Sequence, residues 1–503
     1  MAMAKNLVDH DVWGISKHEF SSSSSSLLWT ASLAFVYFVF GVNEHAPWIM
    51  ALLSAIGLLI LVYRLLRSLN VPGMLNFILL LCLTLLFPVV PLIRTGMEHI
   101  LHGLLAILFA WLAAKILQDE NDQNGKGHWF TRDEQKLLAV TPILATIRYE
   151  GLFEIAVVII LFALKKRYIL GVAVGLASAI PLLVYGLISI QHDNYLIPNS
   201  LLLKSNLPDF SSLASILQSL GLHGFTTIMN HSHLTYLFLL VMILFLFGYY
   251  NNSKTLWDRT SLFLLIFILT FLLHMQYAKI GWFFRYEAYL VGWGIFAAGL
   301  SLYLNFPRLI GSDKNLTISS YALLAGLLLA VSSYTLIERG VKSLVKTVPA
   351  TTNIYEQQYQ MGRFIREYYS GEAVMVNDVG AVSFLADFQC FDKVGVANIR
   401  VMNAVKSNDF TPESLKQMCL EAGVKIAIVY RRNLWLSPGI PKGWRCIGKW
   451  TIRNNVVCSS KTVDFFAVDR NEEGRLRDNF SDFTKSLPAS VMVKEYRRSE
   501  TKL

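Results

Sequence analysis

The chain has 503 residues, of which 54% are hydrophobic and only 16% charged, with a mean hydropathy of +0.45. Soluble chains carry about 25% charged residues, so an ordinary soluble protein is excluded. The net charge of +10 does not indicate a nucleic-acid partner, because the lysines and arginines cap apolar runs or lie in the last third, with no basic block to track a phosphate backbone.

Charges are sparse up to about Ile337 and dense after it. This shift divides the chain into an external segment with an interfacial helix (1–46), a membrane domain (47–337) and a soluble domain (338–503). In the first segment, the run Ser21 to Ser26 reads as a flexible surface loop. The apolar stretch 27–42 reads as an interfacial helix, with Trp29 and Tyr37 at headgroup level.

A membrane-crossing helix needs roughly 20 mostly apolar residues. The runs 48–66, 74–93, 100–117, 168–188, 236–249, 261–274, 288–304 and 321–337 qualify. Two shorter runs, 137–147 and 151–164, are separated by Arg148, Tyr149 and Glu150 and suggest a broken hairpin. Together they make about ten crossings. Lysine and arginine collect on the cytoplasmic side of such proteins. Arg64 and Arg67, then Lys126, Arg132 and Lys136, then Lys165 to Arg167, Lys254 and Arg259, and Arg308 and Lys314 alternate consistently onto one side. The N-terminal stretch, the loops 189–232 and 281–286, and everything after Ile337 fall on the other.

After Lys342 the pattern changes. Residues 354–369 read as an amphipathic helix and Ala373 to Val376 as a buried strand. Thr411 and Pro412 open a further helix as N-cap and first-turn proline. Strands at 425–430 and 465–468 complete a small α/β domain. It has no glycine-rich phosphate loop and no nucleophile elbow, so packing or partner docking is its expected role. Of the cysteines, Cys82 lies in an apolar run; Cys390, Cys419, Cys446 and Cys458 lack metal-ligand spacing, and Cys446 and Cys458 could close a hairpin in an oxidising compartment.

Ionisable groups at membrane depth are costly and mark polar cavities. Arg94, Glu98 and His99; Arg148 and Glu150; Asp193, Asn199 and Lys204; His274 and Lys279; and Arg285 and Glu287 all fall on the external side of this topology. Singly, each reads as an interfacial anchor. As a set they predict a shared external cavity. Arginine and lysine there would hold a lipid phosphate, a carboxylate would act as base toward a sugar hydroxyl, and Trp282, Phe283, Phe284 and Tyr286 would stack on sugar or isoprenoid.

Several segments in order resemble the GT-C glycosyltransferases, integral membrane enzymes that use polyprenyl-phosphate sugars, in the branch of arabinofuranosyl- and mannosyltransferase-like proteins. Ser22 to Thr30 resembles the loop leading to an interfacial helix. Thr95-Gly96-Met97-Glu98 resembles a motif at the mouth of a span, and Arg148-Tyr149-Glu150-Gly151 an element of the broken hairpin. Leu196 to Ser200 with Lys204, Trp282 to Tyr286, and Asn377 to Ala381 resemble three further segments. The family's catalytic Asp, often paired, precedes a segment similar to Met3 to Val8. That segment opens this chain, so the first helix and the Asp pair are expected just upstream of it or, failing that, another base or loss of activity is expected; Asp9 and Asp11 follow the segment and do not match.

The resemblance implies a polytopic α-helical membrane protein, GT-C-like, with a small C-terminal α/β periplasmic domain, in a bacterial cytoplasmic membrane. It implies an inverting transfer of sugar from a polyprenyl-phosphate donor to an extracytoplasmic glycan, lipid or protein acceptor. Glu98 and Glu150 are the candidate catalytic carboxylates. Arg148, Lys204 and Arg285 are the candidate phosphate contacts; Asn199, Trp282 and Tyr286 complete the substrate set. No metal ligands are expected. The rivals are a transporter or flippase, which would carry charges near the midplane, a non-catalytic scaffold, and a polymerase or ligase of lipid-linked glycans.

Overall fold

Apolar runs of this length satisfy their backbone hydrogen bonds only as helices when water is absent. The computed structural model describes residues 1–119, 130–204, 223–251, 256–310, 316–431 and 438–497. Among these, seven helices are long and apolar enough to cross a membrane, or eight with one bent pair. The chain is a polytopic α-helical membrane protein with a small C-terminal sheet domain.

The expected span 74–93 is broken. Gly73–Leu86 and Val89–Thr95 meet at 45°, and Pro88 lies between them, where it removes a backbone donor and ends the first helix. The two short runs are the helices Arg132–Ile147 and Gly151–Leu164. The first is opened by a capping box between Thr131 and Glu134, which satisfies orphan donors at its start. Between the two helices Arg148 is extended, and the chain turns back tightly enough that a Cβ on Gly151 would lie 2.8 Å from the Leu144 carbonyl oxygen. Only glycine permits that return.

His99–Gln118 and the helix from Ala288 are the most enclosed of these spans, whereas Tyr168–Gln191 presents most of its surface outward. Where His99–Gln118 meets Arg259–Tyr277 and Ala288–Ile310 the core is aromatic: Trp111, Phe263, Trp293 and Phe296 meet with centroids 5.6 to 6.5 Å apart. Lys115 pairs with Asp133, and Arg167 with Glu134 at 3.2 Å, so the basic loops gather at one end of the bundle. His99–Gln118 starts beside Glu98 and ends near Lys115. At roughly 1.5 Å per residue it puts Glu98 about 25 Å away, at the opposite end. Lys126, Lys254 and Lys314 lie outside the described residues, as do the side chains of Lys204 and Arg308.

Two expectations about the N-terminal segment are corrected. The serine run is a buried strap, not a loose loop: Ser21, Ser22, Ser23 and Ser26 are buried, Ser26 Oγ donates to the Ile147 carbonyl at 2.6 Å, and the Ser22 carbonyl accepts from Asn199 N–H at 2.8 Å. Hydroxyls with partners can be buried at little cost. In the helix Leu27–Phe40, Trp29 and Tyr37 face the protein, and Phe35, Phe38 and Phe40 are the exposed side chains. Tyr37 packs with Ala4 of a helix, Ala2–His10, that periodicity did not reveal.

The last apolar run does not end its helix at residue 337. Leu316–Ile354 continues through a π turn, Tyr355–Tyr359, into Gln360–Tyr368. This helix delivers Phe364 and Ile365 into the core of the C-terminal domain. The sheet has the order β2-β1-β3-β5-β4-β6, formed by β1 (Ala373–Val376), β2 (Gln389–Asp392), β3 (Ile426–Val429), β4 (Arg445–Thr451), β5 (Thr462–Ala467) and β6 (Met492–Glu495). The first three strands are parallel and the rest antiparallel. Cys446 and Cys458 are both free thiols. Cys446 Sγ meets Arg431 at 3.1 Å, while Cys458 Sγ donates to Gln358 Oε1 at 3.5 Å, so they serve different networks and close no hairpin.

Candidate functional site

Three chain segments converge at the end of the bundle opposite the basic loops. Arg148 is their centre, 5% exposed. Its Nη1 donates to Glu98 Oε1 at 2.8 Å, its Nε to Glu150 Oε2 at 3.0 Å, and its Nη2 to Glu150 Oε1. The extended backbone at Arg148 aims the side chain inward while Glu150 begins the next helix. Glu98 sits at the N-terminus of His99–Gln118, where the helix dipole favours a negative charge. One guanidinium fork thus holds two carboxylates, a geometry that lysine cannot reproduce.

The third segment is 281–287. Gly281, Trp282, Phe283 and Phe284 all have positive φ, and each non-glycine residue there costs about 1 kcal/mol or more. Beyond this left-handed turn come Arg285 and Tyr286. The Tyr286 ring lies between two guanidiniums, Arg148 at 5.7 Å and Arg285 at 5.8 Å. Arg285 donates from Nε to the Trp282 carbonyl at 3.0 Å and touches Met97 Sδ. Among the described residues it forms no salt bridge. Glu287 turns away from it and pairs with Arg339 at 2.7 Å.

Of these residues Arg148, Glu150 and Tyr286 line a cavity of about 640 Å³, within the range of small-molecule sites, while Glu98 and Arg285 stand behind them. One end carries Arg148, Tyr149, Glu150, Lys279 and Tyr286; Leu152, Phe153, Leu182, Leu183 and Ile197 line the rest. Behind Phe153, His274 Nδ1 lies 3.1 Å from Tyr289 Oη, whose ring packs 4.2 Å from that of His102. Polar at one end and apolar along its length, the cavity suits an amphipathic molecule with an anionic head.

Glu98, Arg148, Glu150, Arg285 and Tyr286 come together, as the charge pattern suggested. Trp282 is 44% exposed on the turn. Asn199 lies outside the cavity wall and is fully buried, donating to the Val396 carbonyl at 3.3 Å. With Tyr195 Oη donating to Asn403 Oδ1 at 2.7 Å, it docks the C-terminal domain beside the cavity. Lys204 ends the helix Asn199–Lys204. Asp9 and Asp11 are exposed. No cluster of metal-ligating side chains occurs among the described residues. Sequence reasoning missed Tyr149 as a cavity residue and Arg339 altogether; Arg339 sits in an ordinary-looking charged stretch after the last apolar run.

Among solved structures, the chain is similar to that of ArnT from Cupriavidus metallidurans, a GT-C glycosyltransferase crystallised bound to undecaprenyl phosphate. The two are 11% identical, the match covers 93% of this chain and 92% of that one, and the TM-score is 0.50. The fold is GT-C. Residues 352–466 also match a family model described as a domain of unknown function, DUF8728. That match includes most of the sheet of the C-terminal domain and stops short of the GT-C helical bundle. No curated protein matches the chain.

Proposed function

We propose that this protein is a membrane glycosyltransferase that takes a sugar from a polyprenyl-phosphate donor and passes it to an extracytoplasmic glycan, lipid or protein. The observation that carries this reading is the cavity, apolar along most of its wall and cationic at one end. The GT-C fold adds support, and the structure of ArnT holds undecaprenyl phosphate. In this reading the isoprenoid lies along Leu152, Leu182 and Ile197, and the phosphate meets Arg285 and Lys279. Lys204 stays a candidate phosphate contact on the strength of its motif alone. Asn199 contributes by docking the C-terminal domain beside the donor. Trp282 and Tyr286 face the sugar. The cavity opens to the outer face of a bacterial cytoplasmic membrane, in keeping with the placement of lysine and arginine at the other end. The arabinofuranosyl- and mannosyltransferase-like branch remains our assignment from its motifs.

Glu150 is the carboxylate nearest the substrate, and Glu98 stands behind it. Their shared arginine occupies three of their carboxylate oxygens, which favours one alternative, a polyprenyl-phosphate-binding scaffold without transfer. Binding tests the shared part of both readings. Purified protein should bind undecaprenyl phosphate, and Arg285→Ala should weaken this about tenfold or more, the worth of a charge-assisted hydrogen bond. Equal affinity in the two proteins would sink the assignment. Sugar release from a polyprenyl-phosphate donor, lost in Glu150→Gln, would then separate enzyme from scaffold.

A further inference from the structure

The left-handed turn is tied at both ends to a single buried ion pair. At its start, Gly281 N–H donates to Glu287 Oε2 at 2.8 Å. At its end, Arg339 Nη2 donates to the Phe284 carbonyl at 2.9 Å, and the Arg339 guanidinium lies 5.4 Å from the centroid of the Phe284 ring. Arg339 Nη2 also donates to Glu287 Oε1 at 2.7 Å. Glu287 is 1% exposed and Arg339 4%, so water does not compete for these bonds.

Three successive non-glycine residues at φ 45°, 60° and 62° would otherwise relax, because Cβ crowds the carbonyl oxygen in that region. Strain of this kind persists only where the surroundings over-determine it, and it collects at functional sites. Here it is followed directly by Arg285, whose guanidinium lies 5.8 Å from the Tyr286 ring centroid, and by Tyr286, which lines the cavity. Arg339 lies 52 positions beyond Glu287, on the helix Leu316–Ile354, and does not line the cavity.

We infer that Arg339 and Glu287 are positioning residues. They clamp the 281–284 turn in its left-handed form and so hold Arg285 and Tyr286 where a lipid-linked phosphate meets them. The inference rests on the lipid-phosphate reading above for its ligand, but not for the clamp itself.

The test removes both charges together, in Arg339→Met/Glu287→Met. Replacing a buried ion pair by apolar side chains is often neutral for the fold, whereas breaking it from one side strands a charge. In the full-length protein in detergent, amide exchange over residues 281–286 should accelerate about tenfold or more as the turn opens locally. Affinity for undecaprenyl phosphate should fall about tenfold with melting little changed. Adding Phe283→Gly, where a positive φ carries no Cβ penalty, should recover about threefold of that affinity. A purely structural pair would show no such glycine rescue.

Unchanged exchange at 281–286, or an affinity loss that glycine leaves untouched, would overturn the inference. Faster exchange in a protein whose wild type does not bind undecaprenyl phosphate would uphold the clamp and reject the lipid reading instead.

Discussion

Arg148→Met is expected to abolish measurable binding of undecaprenyl phosphate, a loss of at least about a hundredfold, and to destabilise the membrane domain by several kcal/mol. The wild-type side chain satisfies three carboxylate oxygens from a position 5% exposed. Without it, Glu98 and Glu150 become two like charges in a shared site, one of which must protonate or draw in water. Both responses push an incoming phosphate away. Arg148→Lys should recover part of the stability and little of the binding, because a point charge cannot replace the fork that spans both carboxylates. Thermal unfolding in detergent, beside lipid-phosphate affinity, reads both effects. An Arg148→Met protein with wild-type melting and binding would mean that the carboxylate clamp is irrelevant to the cavity.

The local charge balance explains why Arg285 is the better candidate for the phosphate itself. Glu98 and Glu150 already neutralise Arg148 and oppose much of the surrounding positive field. Arg285 shares the Tyr286 ring with Arg148 but has no salt bridge among the described residues. An anion between Tyr286 and Lys279, both on the cavity wall, would lie beside the ring that Arg285 shares, near a cation with no salt bridge among the described residues. Charge-assisted bonds in a partly dry site are stronger than the same bonds in water.

How much of this was legible in the sequence follows from what constrains each residue locally. Membrane spans are written in the chain as long apolar runs, and charges at their ends must face a polar cavity or water. For that reason Glu98, Arg148, Glu150 and Arg285 could be grouped before any coordinates. The long helix from Leu316 was cut short at Ile337 because hydropathy stops there, while helical hydrogen bonding continues through polar residues. For Asn199 the limit is different: its hydrogen bond to the Val396 carbonyl is a contact no local pattern encodes. The same holds for Glu287, whose neighbour in sequence is Arg285 but whose partner in space is Arg339. The buried serines of the strap were hidden by composition, since a serine run is equally compatible with a loop and with hydroxyls that all find acceptors.

A second large effect is expected in the C-terminal domain. Lys393 follows β2, is 1% exposed, and its Nζ has no hydrogen-bond partner among the described residues. Burial pulls its pKa down to about 8, against a small opposing effect from Cys419, whereas an unfolded lysine titrates near about 10.4. Between those two values the folded chain has released a proton that the unfolded chain retains, so stability rises with pH across that window. Below pH 8 the amine is charged in both states and the folded domain bears the full cost of burying it, roughly 3 kcal/mol. Lys393→Met removes that cost. It should therefore stabilise the domain by roughly 3 kcal/mol at pH 7, and the gain should shrink toward zero as pH rises to about 10.5. Amide exchange of the central strand β3, followed in both proteins across this range, measures the difference. A Lys393→Met variant with no gain at pH 7, or with a gain that does not change with pH, would show that this amine finds a partner or water in solution.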